Sequence, residues 1–148
     1  VLGATGPFAK ALKGFEARHE QKEMMRNVLD AYQGDQVTLI EAGTGTGKSL
    51  AYLIPALLWA KATGERTVIS TNTITLQEQL LLKDIPLIVN TLNLSLKAVL
   101  VKGMHNYICM RKFAETQHEL QMMAPNEAEE IQKIEVWQET TKDGSRSS

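Results

Sequence analysis

Glu41-Ala42-Gly43-Thr44-Gly45-Thr46-Gly47-Lys48-Ser49 (EAGTGTGKS) is the stretch whose reading decides the fold. It fits the relaxed phosphate-loop pattern of Ala or Gly, four residues, then Gly-Lys-Ser/Thr, with Ala42 where the first glycine is usual. Gly43, Gly45 and Gly47 let the backbone turn successive amides inward into a nest for anionic oxygens. A helix beginning at Lys48 adds its positive end. Residues Ala42, Gly43, Thr44, Gly45, Thr46, Gly47, Lys48 and Ser49 form the expected nucleotide-binding set. Within it the Lys48 ammonium reaches the β and γ phosphates and the Ser49 hydroxyl ligates Mg²⁺, so these two are the catalytic candidates and ATP with Mg²⁺ the implied ligands. The dinucleotide and kinase pattern GxGxxG fails here, because Lys48 stands where its last glycine belongs.

Working outward, Gln36–Glu41 (QVTLIE) reads as a strand, and Lys48 to about Ala62 as a helix apolar on every side, closed by Gly64 and bent slightly at Pro55. Arg66–Thr71 (RTVIST) is a second expected strand, which makes a βαβ unit and a parallel sheet. Thr75 and Glu78 match a capping box that opens a helix ended or bent at Pro86, and Lys97–Val101 (KAVLV) supplies a third strand. Upstream, Met24, Met25, Val28, Leu29 and Tyr32 recur on one helical face from Arg18 to a C-cap at Gly34. Residues 1–14 read as a leading loop with at most a short helix. Downstream, Phe113–Met123 and Asn126–Glu139 read as helices, with Asn126 as N-cap.

The 148 residues, 43% hydrophobic, are enough for one domain with a core. The first residue is Val1 and the last stretch is polar, so the chain reads as cut from something longer. Its longest apolar run, Leu50–Ala60, is too short to span a bilayer, and the lone Cys109 excludes an internal disulfide framework. The expectation is a cytoplasmic protein with no membrane partner. A net charge of −1 is uninformative, but its distribution is not. Lys97, Lys102, Arg111 and Lys112, with His105, Tyr107 and Phe113, fall in a stretch free of carboxylates, ahead of a glutamate-rich segment. This pattern suits either a nucleic-acid stripe or two ordinary solvated faces.

Phosphate loops serve many enzymes, so the flanks must choose. Phe15–Met25 (FEARHEQKEMM) resembles the adenine-recognising Q motif of the DinG/XPD helicases, superfamily 2 DNA helicases. The resemblance implies that Gln21 reads the base, its amide matching a donor and acceptor edge, and that Arg18 assists. EAGTGTGKSLAYLIPAL resembles motif I of the same family. Ser70–Leu80 (STNTITLQEQL) resembles motif Ia, which implies that Thr71, Thr73 and Gln77 hold the backbone of single-stranded DNA. Val101–Phe113 (VKGMHNYICMRKF) is similar to the start of the family's iron–sulfur insertion, with Cys109 in the place of the first ligand; the alternative is an inert buried thiol. A cluster needs about four ligands, so a 4Fe–4S group would belong to the full-length protein alone.

The resemblance implies an α/β P-loop fold, a partial RecA-like parallel sheet flanked by helices, followed by the start of a helical insertion. Residues 1–103 would be the N-terminal part of the first motor domain and 104–148 the truncated insertion. The parent would couple ATP hydrolysis to 5′ to 3′ movement on single-stranded DNA in repair or replication. The isolated chain, lacking a Walker B element and a second motor domain, would not be catalytically competent, and uncovered sheet edges would favour self-association. Rival readings are a P-loop kinase or GTPase and a nucleotide-regulated binding module without turnover.

Overall fold

The computed structural model describes residues 1–119 and 123–146. It divides into two compact units, Val1–Leu100 and Val101–Ser148. The first unit carries α1 (Pro7–Ala11), α2 (His19–Gly34), α3 (Lys48–Thr63), α4 (Ile74–Gln79) and α5 (Ile85–Leu92). A π-helical turn, Leu80–Asp84, joins α4 to α5. The second unit carries a 3-10 turn (Met104–Asn106), α6 (Met110–His118) and α7 (Pro125–Thr140).

Helix α3 spans the expected residues but is not buried on every side as its composition predicts, since Leu58 is exposed. Ala51, Leu53, Ile54, Pro55, Ala56 and Leu57 are all buried, and Gly64 takes the left-handed conformation (φ 75°) that ends the helix. Leu53, Ile54 and Leu57 make the core with Leu2, Phe8, Leu80 and Ile88, each large aliphatic contributing about 1.5–3 kcal/mol by leaving water. The leading segment thus belongs to the core through Leu2 and Phe8. α2 starts after Arg18 as its pattern predicts, but the left-handed residue at its end is Asp35 (φ 49°), one past Gly34.

Several helix ends differ from expectation. Thr73, not Thr75, caps α4: its backbone is extended (φ −128°, ψ 145°) and its Oγ1 accepts the Leu76 N–H at 3.2 Å. That leaves Thr75 inside the helix, where no N–H lacks a partner for it to cap. Pro86 does not end the helix. It sits in the first turn of α5, just after the π turn, where the Ile85 N–H reaches back five residues to the Leu80 carbonyl. In the second unit, Pro125 fixes the first turn of α7, so the N-cap falls at Ala124 and Asn126 is inside. The helix expected over Phe113–Met123 ends at His118, and its residues 120–122 lie outside the described residues.

The parallel sheet is the main departure. Among the described residues no strands pair; the bridge present joins Tyr107 and Ser145 in the second unit. The first halves of the two segments, Gln36–Thr38 and Arg66–Val68, instead line a groove of about 900 Å³ together with Val28, Tyr32 and Trp59. Val37, Leu39 and Val68 are 103%, 101% and 84% exposed. The physical reason is that a helical crossover brings two strands into one sheet without making them neighbours, and a strand has no hydrogen bonds of its own. Val99 and Val101 of the third expected strand are likewise exposed.

Candidate functional site

The glycine loop runs into the N-terminus of α3, with Gly47 as N-cap and no acidic residue in the first turn. Gly45 and Gly47 both have φ 77°, a conformation that an L side chain resists. A Cβ at Gly47 would also stand 2.1 Å from Nε2 of Gln21. Four of the loop carbonyls are held by side-chain donors. Lys48 Nζ donates to Ala42 O (2.9 Å) and Gly43 O (2.8 Å), and Thr46 Oγ1 donates to Gly43 O (2.9 Å). Arg18 Nη1 donates to Gly45 O, and Gln21 Nε2 to Gly47 O at 3.0 Å.

These bonds set the direction of the amides. In a trans peptide the carbonyl of one residue and the N–H of the next point opposite ways. Arg18, by fixing the Gly45 carbonyl, turns the Thr46 N–H away from itself, and Gln21 does the same for the Lys48 N–H. The rear half of the loop is therefore oriented from α2. The front half is folded onto the lysine: the Lys48 ammonium takes the carbonyls of Ala42 and Gly43. Entering phosphate oxygens would replace those carbonyls with stronger, charge-assisted partners. Ser49 offers one hard oxygen, the kind Mg²⁺ takes, with phosphates and water supplying the others.

Ser49 has a partner that sequence reasoning missed. Its side chain acts on the phenol of Tyr52, one helical turn on. Burial raises the Tyr52 phenol above its ordinary value, the Ser49 hydrogen bond opposes this, and the carboxylate of Asp84 adds to the rise. Tyr52 reads as core in an apolar helix; its i,i+3 spacing from Ser49 is the signal that would have found it.

The profile of the DEAD/DEAH box helicases matches residues 18–141. The chain belongs to the DEAD/DEAH box helicase family. In this DEAD/DEAH box helicase segment the match begins at Arg18, the residue that holds Gly45, and runs through the loop and α3. Among curated proteins the chain is 38% identical, over 97% of its length, to "ATP-dependent DNA helicase YoaA" of Haemophilus influenzae. It is 40% identical, over 75% of its length, to "3'-5' exonuclease DinG" of Bacillus subtilis. Against "ATP-dependent helicase DinG" of Mycobacterium tuberculosis it is 36% identical over 93% of its length. The chain spans 22%, 12% and 23% of these three relatives' own lengths. No solved structure matches it.

The expected DNA-side residues of this DEAD/DEAH box helicase segment lie at the start of α4. Thr71 Oγ1 donates to Thr73 O at 3.1 Å, Thr73 Oγ1 caps the helix, and the Gln77 N–H completes the first turn on Thr73 O at 3.1 Å. In the second unit the basic stripe does not form a continuous face. Lys102 and Phe113 are buried, and Arg111 pairs with Glu115 at 2.8 Å on one helix. Lys102 Nζ instead donates to the buried Ser145 hydroxyl at 2.9 Å, and the Lys102 N–H to the Tyr107 phenol oxygen at 2.8 Å. Cys109, at the N-cap of α6, is exposed, which removes the inert buried-thiol reading. Among the described residues no group of three or more His, Cys, Asp or Glu side chains is placed to hold a metal ion. No helix among them is long and apolar enough to cross a membrane.

Proposed function

We propose that this chain is the ATP-binding part of the first motor domain of a DNA helicase that couples ATP hydrolysis to movement along single-stranded DNA, 5′ to 3′, in cytoplasmic repair or replication. The observation that carries the reading is the pair of bonds from Arg18 and Gln21 to the Gly45 and Gly47 carbonyls, which orients the amides of the loop's rear half for an anion. Lys48 neutralises the β and γ phosphates, and Ser49 ligates Mg²⁺. Arg18 and Gln21 serve the nucleotide from α2, with adenine reading by Gln21 requiring release of the Gly47 bond. Thr71, Thr73 and Gln77 take the DNA backbone.

On this reading residues 1–103 belong to the motor domain and 104–148 to an insertion, with Cys109 joining further ligands in the full-length protein if a 4Fe–4S cluster forms. Segments 36–41 and 66–71 enter a RecA-like parallel sheet completed by strands from the rest of the parent. Uncovered, they promote self-association of the isolated chain. That chain binds Mg·ATP weakly and turns over little, since in-line attack needs a positioned water and an arginine from a facing domain.

The test is ATPase activity of the full-length enzyme with and without single-stranded DNA. Stimulation by DNA, lost with Lys48→Ala, is expected. A rate indifferent to DNA in protein that binds ATP would favour a kinase or GTPase and sink the motor.

A further inference from the structure

Apart from its lysine and serine, a phosphate loop is expected to work through backbone amides, yet Thr46 also uses its side chain. Its Oγ1 donates to the Gly43 carbonyl at 2.9 Å, and Lys48 Nζ donates to the same oxygen at 2.8 Å. A carbonyl oxygen has two lone pairs, so each donor has one of its own. The Thr46 methyl lies over the same residue, 4.0 Å from where a Cβ on Gly43 would stand, an ordinary packing distance. Gly43 has no side chain to hold its own peptide, and glycine loses more conformational freedom on ordering than any other residue. The peptide between Gly43 and Thr44 is therefore fixed by two donors, a lysine that phosphate draws away and a hydroxyl that it does not.

We propose that Thr46 is a positioning residue for nucleotide binding: its hydroxyl keeps the Gly43–Thr44 peptide ordered after the Lys48 ammonium has left that carbonyl for the phosphates. The inference rests on the reading of the loop as a nucleotide site. In the empty loop the two donors duplicate each other at Gly43, so removing the hydroxyl leaves the lysine in place. An ammonium drawn to a triphosphate takes charge-assisted partners and releases the neutral carbonyl. Thr46 is then the donor that stays. While the carbonyl remains aimed at the hydroxyl, the Thr44 N–H remains aimed the opposite way. Without the hydroxyl, a glycine peptide has to be held in place during binding itself, and that loss of freedom weakens affinity. Arg18 serves the Gly45 carbonyl from outside the loop, and Thr46 serves Gly43 from within it. The hydroxyl bond thus counts in the loaded state and is redundant in the empty one.

The experiment titrates the full-length enzyme with a ribose-labelled fluorescent ATP in the presence of Mg²⁺, for the parent sequence, Thr46→Val, Thr46→Ser and Lys48→Ala, and records the urea midpoint of each without nucleotide. Thr46→Val keeps the branching and removes the hydroxyl, whereas Thr46→Ser keeps the hydroxyl and removes the methyl. Thr46→Val is expected to raise the Kd by about 2- to 10-fold, the range of one hydrogen bond. Its urea midpoint is expected to match the parent's, because Lys48 still holds Gly43 in the empty loop. Thr46→Ser is expected to restore binding to within about twofold of the parent. A Kd in Thr46→Val less than about twofold above the parent's, or a Thr46→Ser as impaired as Thr46→Val, overturns the role of the hydroxyl. If Lys48→Ala abolishes uptake in the same series, the nucleotide site stands and that role alone falls. Unchanged uptake in Lys48→Ala removes the nucleotide site itself, and the role of Thr46 with it.

Discussion

Helix α3 and the two segments that flank it in the chain, 36–41 and 66–71, are comparably rich in branched apolar residues and end in opposite surroundings. Leu53 and Ile54 are 0% and 1% exposed, whereas Val37 and Val68 are 103% and 84% exposed. A helix closes its hydrogen bonds within itself, so its apolar sides are free to seek any core, here that of Leu2, Phe8, Leu80 and Ile88. A strand borrows every ladder bond from a neighbour, and these two have a groove between them in place of one. Local signals therefore produced finished structure, and non-local ones left apolar side chains exposed.

The comparison can be broken most severely where the loop meets the helix. Gly47→Val adds a side chain at φ 77° and into the Gln21 amide, and loss of measurable Mg·ATP binding in a fluorescent-nucleotide titration is expected, with the α-helical signal retained. Binding within twofold of the parent chain would mean that the loop does not use this conformation. Next, Leu53→Ala opens a cavity under α3 and should lower unfolding free energy by about 2–5 kcal/mol in urea titration. Thr73→Ala removes the α4 cap and should lower it by about 1 kcal/mol. The smallest effect belongs to Val68→Lys. At a site 84% exposed the stability change should stay within about 0.5 kcal/mol, while sedimentation velocity reports less self-association. A large loss from Val68→Lys would mean that this segment is already packed in solution.

The same division explains what could be read in advance. The loop, both ends of α3 and the start of α2 follow from glycine, proline and periodicity, all of which act within a turn or two. The family was legible because its motifs are short runs at a strand or helix end, and Arg18, Gln21 and the loop do come together. The order in which strands would lie was not, because a crossover constrains handedness and direction but leaves adjacency open. Nor was the cap at Thr73, since Thr-x-x-Glu at Thr75 offered an equally good local pattern two residues on. Tyr52 was hidden by its company, since within LAYLIPALL a phenol reads as filling. Lys102 reversed expectation most plainly, since a cation counted toward a surface stripe lies buried on a serine 43 positions away.

That buried lysine has an architectural corollary. With Lys102 against Ser145, and Tyr107 bridged to the same serine, two stretches more than forty residues apart in the chain are held side by side. A polar pair therefore ties residue 102 to residue 145 within the second unit, so that a change at either position acts on both ends of the stretch at once.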